Sequence, residues 1–195
     1  MKFFVVGLHC SGKHEIRDIL VDQNIKCGSL FSDIECPIRE VYRSDEYEKF
    51  NSQDINEIFE NGAYIFLREL KLGGIKFYEG LSKYSFDNND VFIISPDQLV
   101  SIPVTKLPKD ICYVWVDNTK SNRYKRYCED SCGYNFHEKE KIEMENIDTF
   151  IKILRENNSG LLYFVNEEPA RISAIIYALI QHPDLFDAFT QTFNS

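Results

Sequence analysis

Four apolar residues, Phe3-Phe4-Val5-Val6, run straight into Gly7-Leu8-His9-Cys10-Ser11-Gly12-Lys13-His14. That junction constrains the fold more than any other feature of the chain. An unbroken apolar run suits a strand buried on both faces, as in a parallel sheet. The next residues fit the pattern G-x-x-x-x-G-K, a strand-to-helix loop that holds phosphates. Its glycines let the backbone curl until successive N–H groups point at one anion, and the following helix adds its N-terminal partial charge. Lys13 reaches the β and γ phosphates of a bound nucleotide, and Ser11 offers a further hydroxyl. The position after the lysine, where Ser or Thr normally meets Mg²⁺, holds His14. Imidazole is a poor ligand for a hard cation that prefers oxygen. Either magnesium is held through water and the nucleotide phosphates, or nucleotide handling is weakened.

Three further apolar runs follow turn-forming clusters: Val91 to Ile94, Ile111 to Val116 and Leu161 to Val165. Helical patterns separate them, at His14 to about Asn24, Ser121 to about Asp130, Ile142 to about Glu156 and Pro169 to about Gln181. Strands alternating with helices predict an α/β fold with a parallel sheet. The middle of the chain differs. Tyr47 to Asn61 reads as a helix, and residues 62–80 read as a hairpin around Gly73-Gly74. A small antiparallel insertion over about 35–90 is expected inside a core of about 1–34 and 91–195. One domain accommodates all 195 residues.

The charges sum to 22 − 31 = −9, so a general nucleic-acid binder is not expected. No run of about 18 apolar residues suggests a membrane span, and the apolar stretch at residues 3–6 is too short for a signal peptide. The cysteines at 10, 27, 36, 112, 128 and 132 are irregularly spaced, which suits reduced thiols and a cytoplasmic location. Cys128, Cys132 and His137 lack C-x-x-C spacing and a fourth ligand, so no metal-binding set is assigned. Glu138 to Glu145 mixes signs and reads as a solvated helix face.

In the order of its elements the chain resembles the guanylate kinase family of nucleoside monophosphate kinases over most of its length. After the loop come Tyr47-x-x-Phe50, a helix ending Asn61-Gly62, then Leu67-Arg68-Glu69. Gly74-x-x-Phe77-Tyr78 resembles the family's hairpin, and Val91 to Asp97 its buried strand ending in an acidic residue. Arg123-x-x-Arg126 resembles the arginine-bearing helix beside the lid, and Leu162 to Glu168 the last strand with its Asn turn at Asn166. The family's Thr-Thr-Arg motif is replaced by Cys36 to Arg43, and the lid-like segment at about 127–145 carries lysines in place of arginines.

The resemblance implies ATP-dependent phosphoryl transfer, with Mg²⁺, to a nucleoside or deoxynucleoside monophosphate, (d)GMP favoured. It implies that Gly7, His9, Cys10, Ser11, Gly12, Lys13, His14 and Asn166 hold ATP, and that Lys13, Arg123 and Arg126 act on the transferred group. Arg39 and Arg43 would hold the acceptor phosphate. Tyr42, Tyr47 and Tyr78 would donate hydroxyls to the acceptor, and Glu69 and Asp97 would accept from its base. The competing reading is a catalytically weakened module of the same fold that binds a nucleotide or a protein.

Overall fold

The computed structural model describes residues 1–28, 31–33, 47–49, 62, 64–72, 75–102, 111–129, 135–157, 160–165 and 167–186. Its centre is a five-stranded, wholly parallel sheet. The strands are β1 (Lys2–Val6), β2 (Cys27–Gly28), β7 (Val91–Ile94), β8 (Ile111–Asp117) and β9 (Gly160–Val165), in the order β2-β7-β1-β8-β9. Two smaller pairs complete the strands. β3 (Phe31–Asp33) and β4 (Tyr47–Lys49) are parallel, and β5 (Tyr64–Leu72) and β6 (Ile75–Ser82) form an antiparallel hairpin.

Helices flank the main sheet. They are α1 (Lys13–Asp22), α2 (Lys83–Asn88), α3 (Pro96–Leu99), α4 (Lys120–Glu129), α5 (Phe136–Glu145), α6 (Ile147–Asn157) and α7 (Pro169–Gln181). Among the described residues, none is long and apolar enough to cross a membrane.

The continuous apolar runs have a physical cause. Because strand side chains alternate, each run feeds two cores at once. Phe3 and Val5 face one layer with Ile16 and Leu20 of α1 and Ile172 and Ile176 of α7. Phe4 and Val6 face the other with Phe86, Leu99 and Phe150. All of these but Phe86 and Phe150 are completely buried. The second layer uses the chain's aromatic richness: Phe4 meets Phe92, Tyr113 and Phe86 edge-on at 5.5, 5.8 and 6.4 Å, and Trp115 stacks on Phe150 at 5.0 Å. Each such aromatic pair contributes about 1 kcal/mol beyond its buried area.

Two expectations need correction. Tyr47 does not start a helix: Tyr47 to Lys49 pairs with β3 as a strand, because the β-prone Tyr finds a partner that local propensity cannot show. Residues 50–61 lie outside the described residues. The single helix expected over 142–156 is two helices that meet at Asn146. The Asn146 N–H donates to Glu143 O (3.2 Å) and its side-chain amide to Ile142 O (2.7 Å), while its own carbonyl accepts from Phe150 N–H (2.9 Å). One residue thus ends α5 and starts α6. The start of α5 is fixed by Asn135, whose Oδ1 accepts from the N–H groups of His137 and Glu138 (3.0 and 3.3 Å). That is an N-cap with Glu at the third position.

β1 is central, and the chain leaves it toward β2 and β7 before crossing to β8 on its other side. The crevice at the carboxyl end of β1 is therefore the switch point where ligands of open α/β sheets bind. The glycine loop lies there.

Candidate functional site

The loop's shape depends on two glycines. A Cβ on Gly7 would stand 2.4 Å from Val116 O and 2.8 Å from Ser11 Oγ, so no side chain fits where β1 ends against β8. Gly12 caps α1 at φ 100°, and Cys10 is also left-handed at φ 56°. Left-handed residues alternating along a turn curl the backbone into an anion-binding nest. Cys10 bears the Cβ strain of that conformation, about 1 kcal/mol or more.

Lys13 is 6% exposed although it is charged. Its ammonium donates to Gly7 O (2.6 Å) and Leu8 O (2.7 Å). Burial pulls its pKa from 10.5 to about 8, and the nearby charge of Glu143 limits the fall. Ser11 is 3% exposed, and among the described residues no group lies within hydrogen-bond reach of its Oγ. A buried hydroxyl without a partner needs an explanation, and a ligand oxygen would supply one.

The loop already holds an anion. Glu143, on α5, is 1% exposed, and its Oε2 accepts from His9 N–H at 2.8 Å and from His9 Nδ1 at 2.7 Å. Burial by itself would raise the Glu143 pKa. The His9 bonds and the charges of Lys13 and Lys139 outweigh that and hold it below the ordinary carboxylate value. An ionised carboxylate only accepts, so His9 Nδ1 carries the proton. Lys139 bridges onward, 3.6 Å from Glu143 Oε1 and 3.4 Å from Asp97 Oδ1. Asp97, in the first turn of α3, also faces Arg68 at 3.4 Å, and Arg68 donates to Asp97 O (2.9 Å) and Ser101 Oγ (2.5 Å). Burial opposes ionisation of Asp97, but Lys139, Ser95 and Arg68 pull its pKa down.

The two arginines of α4 differ. Arg123 is 3% exposed and pairs with Glu140 of α5 at 2.6 Å. It also donates through Nε to Asn118 O (3.3 Å) and lies over the Phe136 ring at 5.6 Å. Lys120 shares Glu140. This set ties α4 to α5. Arg126 instead stands over the loop: its Nη1 is 3.2 Å from where a Gly12 Cβ would be, and its partner is Glu15 at 2.5 Å, an exposed carboxylate.

His14 is exposed at the start of α1. It supplies no oxygen to a cation, and among the described residues no three His, Cys, Asp or Glu side chains converge on one point. The curled backbone, the Lys13 ammonium and the Ser11 hydroxyl suit phosphate oxygens, while position 14 offers a cation no oxygen.

Glu69 and Tyr78 are directly opposed in the β5–β6 register, and Tyr47 is on β4. Arg39, Tyr42, Arg43 and Asn166 lie outside the described residues, as does Cys132. Sequence reasoning missed Glu143, Glu140, Lys139 and Arg68. The expectation that Glu138 to Glu145 is a solvated face is corrected at two positions: Glu140 (8% exposed) and Glu143 (1%) are buried. The signal was in the spacing. Phe136, Glu140 and Glu143 fall at i, i+4 and i+7, which is one face of a helix.

No family model matches the chain, and no curated protein matches it. Among solved structures, a guanylate kinase from Anaplasma phagocytophilum matches with a TM-score of 0.50 at 15% identity, over 91% of this chain and 85% of that one. A shikimate kinase from Acinetobacter baumannii, in complex with shikimate, matches with a TM-score of 0.44 at 11% identity, over 94% of both chains. The first likeness places the chain in the P-loop kinase fold.

Proposed function

We propose that this chain is a guanylate-kinase-like phosphotransferase that seats the phosphates of ATP on the Gly7–Lys13 loop and passes the γ-phosphoryl group to a nucleoside or deoxynucleoside monophosphate, (d)GMP favoured. The observation that carries this reading is the loop itself: a curled backbone at the sheet's switch point, with a buried lysine, an unmatched serine hydroxyl and an anion accepting from one of its amides. Phosphoryl transfer asks a protein mainly to position two phosphates and neutralise their charge. An acceptor phosphate oxygen attacks the γ phosphorus, and the bond from phosphorus to the ADP oxygen breaks.

In this reading Lys13, His9, Cys10, Ser11 and Gly12 hold the donor phosphates, and Asn166 borders the nucleotide. Arg126 moves from Glu15 to the group in transfer, a short change of partner for an exposed pair worth little in itself. Arg123 positions α5 through Glu140. Arg39 and Arg43 hold the acceptor phosphate, with Tyr42, Tyr47, Tyr78, Glu69 and Asp97 around the acceptor. The insertion at about 35–90 carries that acceptor side, and the segment at about 127–145 serves as the lid. Magnesium arrives on the nucleotide phosphates, because position 14 gives it no oxygen.

The test is a coupled ADP-release assay across the ribo- and deoxyribonucleoside monophosphates, with Lys13→Ala as control. Turnover with at least one monophosphate, lost in Lys13→Ala, is expected. A folded chain that turns over none of them overturns the kinase reading. One observation favours the weakened module as a second reading: Lys13, Arg123 and Arg126 all have partners inside the chain, and His14 stands at the magnesium position. ATP binding without turnover is its signature.

A further inference from the structure

We propose that Glu143 is an internal substitute for phosphate: it occupies the loop's anion seat, and a polyphosphate enters by displacing its carboxylate while α5 stays tied to α4 and α3. The inference rests on the loop's phosphate-binding role and adds its regulation. One Glu143 oxygen accepts both the His9 amide (2.8 Å) and the His9 ring N–H (2.7 Å). A loop amide used in this way is the kind of donor that a phosphate oxygen needs. The carboxylate is 1% exposed, so this is a docked state and not a surface encounter. Two anions do not share one seat, since like charges at about 4 Å repel by a few kcal/mol at a partly buried site. Phosphate on His9 N–H and Glu143 on His9 N–H are therefore alternatives.

The rest of α5 is built for such an exchange. Lys139, also on α5, faces both Glu143 and Asp97, and its pair with Asp97 keeps the helix tied to α3 when the Glu143 carboxylate leaves. Arg123 and Lys120 hold Glu140, one turn earlier, and keep the helix tethered to α4. Asn146 ends the helix and separates it from α6, so α5 can shift without breaking the α6 ladder. With the seat filled from within, Lys13 turns its donors back onto Gly7 O and Leu8 O. Apparent affinity for an outside anion is lowered by the fraction of molecules in the docked state.

Calorimetric titration with inorganic tripolyphosphate tests this on the wild type and on Glu143→Gln, which keeps the side chain's shape and removes its charge. Glu143→Gln binds about tenfold tighter or more, if docked molecules outnumber undocked ones by that ratio. Hydrogen exchange on the wild-type chain is the second readout and needs no variant. Amides of residues 136–145 exchange faster when tripolyphosphate is added. Equal or weaker binding by Glu143→Gln, or slower exchange across 136–145 on binding, overturns the displacement while leaving the loop a phosphate site. If neither chain binds tripolyphosphate, the phosphate-loop reading fails and the displacement fails with it.

Discussion

The glycine loop and helix α5 meet where His9 bonds to Glu143, yet they are built from opposite materials. The loop is a backbone device. Its geometry comes from Gly7, which no Cβ fits, and from left-handed Gly12 and Cys10. Helix α5 contributes through charges: Glu143 to the loop, Glu140 to Arg123, Lys139 to Asp97. A backbone device leaves a mark in the sequence, because Gly7 and Gly12 stand where a side chain would clash or strain. A buried charge leaves almost none, because its environment comes from elements far along the chain.

That contrast can be broken in several ways. Arg123→Ala should have the largest effect. It leaves Glu140 with Lys120 alone, and loss of a charge-assisted hydrogen bond costs about 1.5–3 kcal/mol. Urea unfolding measures it, and the double variant with Glu140→Ala should recover part of the loss; a cost under about 0.5 kcal/mol, the usual range of a surface site, would mean that α4 and α5 are not joined there. Gly12→Ala should cost about 1–2 kcal/mol through its left-handed φ and should weaken tripolyphosphate binding as the nest distorts. If stability falls and binding does not, the nest is not the seat.

Proton linkage gives the next effect. Lys13 titrates at about 8 in the folded protein and 10.5 by default. A bound polyphosphate keeps the lysine charged, so binding takes up a proton above about 8. Affinity should fall by up to about tenfold per pH unit there. Between about 8 and 10.5 the unfolded chain holds more protons than the native one at this residue, so its contribution to stability rises with pH over the same window. Binding and stability therefore change in opposite directions; parallel changes would contradict a buried lysine that pairs with the phosphate when it binds. The smallest effect is expected at Arg171→Ala, whose exposed pair with Glu167 is worth less than about 1 kcal/mol. A thermal melt showing more than that would mean that exposed and buried pairs differ less than the comparison holds.

What was legible follows the same division. β7 and α7 match their expected bounds, and β1, β8 and β9 each differ by one residue, because hydrophobic runs and Pro169 at the first helical position are local signals. The loop was legible from Gly7, Gly12 and Lys13. The strand at Tyr47 was not, since its partner β3 lies in a different stretch of chain. Glu143 was not legible as a loop ligand, since alternating charges at 138–145 are what a solvated helix also shows. Its hydrogen-bond partner His9 lies 134 residues away.

The most direct measurement is calorimetric titration of tripolyphosphate into the wild type and Lys13→Ala at neutral pH, beside thermal unfolding of both. Saturable one-site binding by the wild type is predicted, weakened by about 100-fold or more in a Lys13→Ala chain that remains folded, the loss expected for a charge-assisted contact of nearly 3 kcal/mol. Equal binding by the two chains, or none by either, would contradict a phosphate seat at the end of β1.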